Sequence, residues 1–198
     1  MLPALPPATR TLILLNVAVY LLEQVAADPV LRWFALWPLA SPLFEPWQVV
    51  TYAFLHANLT HIFFNMFALY MFGGVLEQYW GGRRLVLYYF ICALSAGLTQ
   101  LLVEQLTGGA SEPTLGASGG VFGILLAFAW YFPRAKVGVY LIIPMPAWLF
   151  VTIYGLAELF FGVTGSQQGV AHFAHLGGML GGALCILYWR ARRRFGLR

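Results

Sequence analysis

The chain has 198 residues, of which 61% are hydrophobic, 17% aromatic and only 9% charged, with a mean hydropathy of +0.77. A soluble domain needs about 25% Asp, Glu, Lys and Arg to cover its surface, so 11 basic and 7 acidic residues exclude an ordinary soluble enzyme, while the apolar bias excludes a disordered chain. The net charge of +4 does not point to nucleic acid either, because the basic residues sit in short clusters between long apolar runs, which is a membrane-topology pattern.

A helix that crosses the hydrocarbon layer takes roughly 17–25 mostly apolar residues. After the proline-rich opening MLPALPPATR, the run Thr11–Ala27 reads as a retained first span, since no small-x-small cleavage site precedes the next polar break. The connection Asp28–Thr60 is about thirty residues long, beyond the usual loop length, and is suspect as functional on that ground. It carries Trp33, Trp37 and Trp47 among Pro29, Pro38, Pro42 and Pro46, so it is expected to lie in the outer interface with its indoles as anchors. His61–Trp80, Leu85–Leu106, Leu115–Phe132, Val137–Phe161 and Gly169–Trp189 follow as spans two to six. The fifth is broken near its start by Pro144 and Pro146, which places its well-formed helix from Ala147. Cys92 and Cys185 lie inside apolar runs and read as small buried hydrophobes, not as a disulfide framework.

Ten of the eleven basic residues fall on the side of the two termini, and only Arg32 falls on the other. Both termini are therefore expected in the cytoplasm. The expected architecture is an all-α membrane protein, one domain over residues 1–198 with six transmembrane helices, ending in a basic cytoplasmic tail at 190–198.

In this orientation spans two, four and six all begin at the outer face, and the intramembrane polar residues gather there. His61 and Asn65 share one face of span two. Ser118 opens span four within Gly116-Ala117-Ser118-Gly119-Gly120, and His172 and His175 lie in the first turns of span six. At 1.5 Å per residue all lie within about 10 Å of the outer face. Polar groups inside a membrane are functional candidates, and a hydroxyl, imidazoles and a carboxamide at one depth are the parts of an acyl-transfer site. Small-xxx-small patterns, Gly116–Gly120 and Gly119–Gly123 in span four, Gly177–Gly181 and Gly178–Gly182 in span six, allow these two helices to approach closely. Ser118 then becomes the nucleophile and an imidazole its base. The unpaired N–H groups at the start of span four, with His61 and Asn65, supply oxyanion donors. Glu23, Asp28, Glu45, Glu104 and Glu112 lie in other elements or loops, Glu77 lies near the cytoplasmic end of span two, and Glu158 has no evident partner. A Ser–His dyad is therefore expected in preference to a triad, and Glu77 is expected to pair with loop N–H groups or with Arg83 and Arg84.

At these residues the sequence resembles the rhomboid family of intramembrane serine proteases, in its compact six-helix prokaryotic form. His61-Ile-Phe-Phe-Asn65 is similar to the family's HxxxN element, and Gly73-Gly74-Val-Leu-Glu77 with Gly81 to its Gly–Glu–Gly element. Gly116-Ala-Ser118-Gly119 is similar to the GxSG nucleophile motif, and Ala174-His175-Leu-Gly-Gly178-Met-Leu-Gly-Gly182 to AHxxGxxxG. The resemblance assigns His175 as the base, since choosing His172 would put His175 where the pattern requires glycine. It places Phe122 where a ring could support that imidazole, with Gly116, Gly119 and Gly178 supporting the site. It implies cleavage of membrane-protein substrates in or beside a transmembrane helix, in the cell membrane and near its outer face, with the bilayer as the other partner, no nucleic acid and no metal or other cofactor. The family's Trp-Arg pair in the first loop reads Trp47-Gln48 here.

Three other readings compete. A catalytically silent relative that binds or escorts transmembrane helices would lack the nucleophile or the base, and this chain retains both. A transporter would spread its polar groups across the bilayer. A zinc site using His56, His61, His172 and His175 lacks HExxH and leaves the glycine–serine motif unexplained. His56, with Asn58, is expected to bond loop backbone, and His172 to be a satisfied interfacial histidine.

Overall fold

In the computed structural model, which describes residues 5–108, 112–139, 143–166 and 169–194, helix α1 runs from Pro7 to Val25. Arg198 lies outside the described residues. Pro7 stands in the first turn, where a missing N–H costs no hydrogen bond. The next donors go to Glu77: Ala8 N–H to Oε1 at 2.9 Å, and Thr9 N–H and Oγ–H to Oε2, each at 2.7 Å. Glu77 is thus the anion at the N-terminus of α1, where the helix dipole favours it. Of the two expected kinds of partner, backbone N–H groups and the neighbouring arginines, Glu77 takes backbone N–H groups, but from the first turn of α1 and not from a loop beside it.

The long first connection is folded. It contains α2 (Ala27–Phe34), a single α-helical turn, α3 (Gln48–Thr51), and a 3-10 turn at Tyr52–Phe54. Gln48 is fully buried and knits the loop: its Nε2 donates to Leu43 O at 2.9 Å, and its Oε1 accepts from Trp37 N–H at 3.2 Å. Trp33 and Trp47 are exposed and stacked, with centroids 6.4 Å apart.

The rod Leu59–Trp80 is α4 (Leu59–Ala68), a π-helical turn at Leu69–Gly73, and α5 (Gly74–Trp80). Asn58 caps it, its side chain accepting His61 N–H at 2.9 Å. Next come α6 (Gly82–Thr107), α7 (Ser118–Tyr131), strands β1 (Lys136–Val139) and β2 (Ile143–Pro146), α8 (Ala147–Thr164) and α9 (His172–Arg194). The hairpin differs from the expected start of the fifth span at Val137. β1 and β2 pair antiparallel, Val137 opposite Met145 and Gly138 opposite Pro144. Pro144 and Pro146 cannot sit in a helix interior, but an edge strand tolerates them. The basic stretch Arg190–Arg194 continues α9 as helix.

Among the described residues, four helices are long and apolar enough to cross a membrane: Pro7–Val25, Leu59–Trp80, Gly82–Thr107 and Ala147–Thr164. The apolar α7 has 14 residues, most of them buried, and packs between α6 and α9. Leu14, Leu21, Phe63, Phe64, Leu98, Leu102, Leu156 and Leu184 face outward and are exposed, which suits a lipid surround and not water. Tyr88, Tyr89, Cys92, Ala93 and Ala96 of α6 are buried at the centre. By contrast, α8 buries only Ala147 and Val151 and stands at the periphery.

The glycines explain how closely α6, α7 and α9 approach. A Cβ on Gly178 would run into the carbonyl of Gly119, and one on Gly123 would meet Cys92 Sγ and lie 3.2 Å from the carbonyl of Gly178. The α7–α9 contact therefore uses Gly119, Gly123 and Gly178. Gly177 and Gly181 face Thr99 and Ser95 of α6, and Gly182 faces Tyr88. That part of the small-residue face serves the central helix, where the sequence suggested α7.

Candidate active site

Ser118 is the first residue of α7, and the segment leading to it is held by the first loop. Leu36 and Thr114 exchange N–H···O bonds of 2.9 Å, and Gly116 N–H donates to Tyr52 O at 2.9 Å. Tyr52 is anchored in turn by its hydroxyl, which donates to Ala93 O of α6 at 2.7 Å. Gly116 has a φ of +130°, a region that L side chains rarely adopt. Its missing Cβ also makes room for His61: a Cβ there would lie 2.7 Å from Cε1 and 2.9 Å from Nε2 of that ring, and 3.6 Å from Ser118 Oγ. The His61 imidazole and the Ser118 hydroxyl therefore converge on the face of Gly116.

His175 lies one turn into α9, across the Gly119–Gly178 contact from Ser118. Its Nε2 is 2.8 Å from Ser118 Oγ. Phe122, one turn along α7, stacks on the imidazole with centroids 4.3 Å apart and planes within 6°. The ring is clamped on one face by Phe122 and in its plane by hydrogen bonds.

One of those bonds comes from a residue the sequence left without a partner. Glu158 of α8 places Oε2 2.8 Å from His175 Nδ1 and 2.6 Å from His172 Nδ1. An ionised carboxylate only accepts, so both imidazoles donate Nδ1–H to it. That assigns the His175 tautomer, leaving the Nε2 lone pair to accept from the Ser118 hydroxyl. The side chains are 12% (Glu158), 11% (His175) and 5% (His172) exposed. Glu158, which had no evident partner in the sequence, is therefore placed at the site beside the Ser118–His175 pair. The signal was available, because Glu158 lies only three residues inside Phe161, the expected outer end of its span. His172 is part of the same network and not an isolated interfacial residue.

Asn65 follows His61 by one turn of α4 and is 5% exposed. Its Nδ2 has no hydrogen-bond partner among the described residues, which leaves a buried donor at this level unspent. His56 packs edge-on against His61 with centroids 5.0 Å apart, and its backbone N–H donates to the Glu23 carboxylate at 3.1 and 3.2 Å. Burial, reinforced by the neighbouring His61 and only partly offset by the Phe54 carbonyl, pushes the His56 imidazole down to about 4. It is neutral near pH 7 and supports His61 as a packed ring.

Of the four histidines weighed as a zinc site, His56 packs on His61 and His172 on His175, with centroids 5.0 and 6.4 Å apart. Glu158, His172 and His175 do offer ligand atoms within 4.8 Å of one another, enough to hold a metal ion. Those same atoms already satisfy one another by hydrogen bonds.

Residues 43–192 match the family model of the Rhomboid domain. The chain is 33% identical over 197 residues to the rhomboid protease GlpG of Photorhabdus laumondii, covering 96% of this chain and 63% of that protein. It is 35% identical over 126 residues to the rhomboid protease GlpG of Klebsiella pneumoniae (63% of this chain, 43% of that protein). To that of Serratia proteamaculans it is 30% identical over 190 residues (95% and 64%). It thus spans less than two thirds of the length of these relatives.

Proposed function

The chain belongs to the rhomboid family, and from that premise we propose that it is a serine endopeptidase that hydrolyses peptide bonds in or beside the transmembrane segments of membrane-protein substrates. The observation that carries this reading is the 2.8 Å contact between Ser118 Oγ and His175 Nε2, with the imidazole already in the tautomer that can take the hydroxyl proton. Ser118 Oγ attacks the scissile carbonyl as its proton passes to His175 Nε2. The tetrahedral oxyanion is met by the N–H groups at the start of α7 and by His61 and Asn65. The imidazolium then protonates the leaving amine, and water, activated by the same imidazole, releases the acyl group from Ser118.

The chain is an integral membrane protein with several apolar helices. The finer topology we propose is six crossings, by α1, α4–α5, α6, α7, α8 and α9, with both termini in the cytoplasm and the site toward the outer face of the cell membrane. Ten of the eleven basic residues support it, since cytoplasmic ends are enriched in Lys and Arg. Retention of both nucleophile and base favours the enzyme over a silent, helix-binding relative. A serine-directed fluorophosphonate tests the assignment: wild type is labelled at Ser118, Ser118→Ala is not, and His175→Ala is labelled far more slowly. Undiminished labelling of Ser118→Ala would point to another nucleophile.

A further inference from the structure

We propose that Glu158 is a positioning residue for this site, extending the Ser118–His175 pair into a hydrogen-bonded Ser–His–Glu triad whose carboxylate is held in place by His172. The proposal rests on the protease reading above, but it concerns a residue outside the family motifs quoted for this sequence.

Its geometry is that of an orienting carboxylate. Ser118 Oγ to His175 Nε2 is 2.8 Å, and His175 Nδ1 to Glu158 Oε2 is 2.8 Å, so the three side chains form one unbroken hydrogen-bonded line. The carboxylate reaches the imidazole from α8, on the edge opposite the nucleophile, as the third member of a hydrolase triad must. The Phe122 stack fixes the ring's plane but does not choose between its two tautomers. Only a partner at Nδ1 does that, and Glu158 is the one the structure supplies.

His172 completes the device. Its Nδ1–H donates to the same oxygen at 2.6 Å, so Oε2 is clamped between two imidazoles on successive turns of α9. This second donor fixes the carboxylate's position without competing for Ser118. The bookkeeping is simple: on attack the Ser118 proton moves to His175 Nε2, and the Nδ1 proton stays on His175, hydrogen-bonded to Glu158. The carboxylate stabilises the imidazolium and takes up no proton itself. Because α8 buries so few side chains, these two bonds also serve to tie it to α9.

The test compares the full-length wild type with Glu158→Gln, Glu158→Asp and His172→Ala, in liposomes, on one transmembrane substrate. Glu158→Gln keeps the shape but presents an amide that can donate to His175 and favour the wrong tautomer. The expected result is a fall in kcat of about 10²-fold or more with KM little changed. Glu158→Asp should recover part of the loss, and His172→Ala should lose less than Glu158→Gln. The second readout is the proton NMR of histidine-labelled wild type, where downfield Nδ1–H resonances of His172 and His175 are expected, both lost in Glu158→Gln. Wild-type kcat in Glu158→Gln, or a loss confined to KM, overturns the proposal. So does the absence of the His175 Nδ1–H resonance from wild type, which decides the matter even if the variants fail to insert. Ser118→Ala and His175→Ala run alongside: if they cleave normally, the protease reading itself fails. If they are inactive while Glu158→Gln is normal, only the role of Glu158 fails.

Discussion

Gly116 carries two constraints at once. Its φ of +130° is costly for any side chain, and a Cβ would lie 2.7 Å from the His61 ring. Gly116→Ala is therefore expected to cost about 1–3 kcal/mol of stability and to displace His61, lowering both the unfolding midpoint and kcat. Thermal unfolding with steady-state kinetics would show it, and a fully active, equally stable variant would contradict this account. Asn65 makes a separate prediction. Its buried Nδ2 has no hydrogen-bond partner among the described residues, which leaves it free to donate to an oxyanion during turnover. Asn65→Ala should lower kcat by about 10²–10³ while KM changes little, the usual effect of deleting one oxyanion donor. An unchanged kcat would remove Asn65 from the site. Ser118, His61, Asn65, His172 and His175 were legible as candidates because an apolar chain leaves few polar groups and depth arithmetic brings them to one level, while the choice of His175 over His172 came from the family resemblance. Glu158 escaped because it was taken by itself within an apolar run. Its partners lie 14 and 17 residues away on another helix, and no periodicity links them.

At the scale of elements, the two ends of one polar connection lie far apart in sequence. Glu77 at the end of α5 holds the first turn of α1 through three donors, although nearly seventy residues separate them. It is 6% exposed. Glu77→Ala strands buried donors and is expected to cost about 1–3 kcal/mol, read as a lower unfolding midpoint with kcat per folded molecule near wild type. An unshifted midpoint would mean that water takes over those donors. Sequence order offered loop N–H groups or Arg83 and Arg84 as partners, and the packing of α1 against α5 shows that the backbone donors come from the first turn of α1. The strand pair β1–β2 was half legible in the same way. Pro144 and Pro146 marked where the helix could not begin, while the antiparallel pairing that accommodates them has no mark of its own in the apolar run. The first loop is the reverse case. Its length marked it as functional, and the structure shows it holding the approach to Ser118 through Leu36 and Tyr52.

For the molecule as a whole, scarcity of charge is what organises the account. Few of the 198 residues are charged, so the interior has little polar surface to spend. Part of it ties elements together, as Glu77 does with Thr9 and Glu23 with His56, and the rest, His61, Asn65, Ser118, Glu158, His172 and His175, lies at the site. The close contacts of α6, α7 and α9 through glycine set the distance between nucleophile and base, and the outward-facing leucines and phenylalanines leave the assembly suited to lipid. The proposed function of this arrangement is to cut peptide bonds of membrane proteins. The direct measurement is to incubate the reconstituted wild type and Ser118→Ala with a panel of transmembrane peptides, and to read the product masses. Wild type should give a pair of fragments that sum to substrate plus one water, with the cut near the end of the helix that faces the outer leaflet, and Ser118→Ala should give none. The same fragments from Ser118→Ala, or an intact panel with wild type protein that fluorophosphonate does not label, would contradict it.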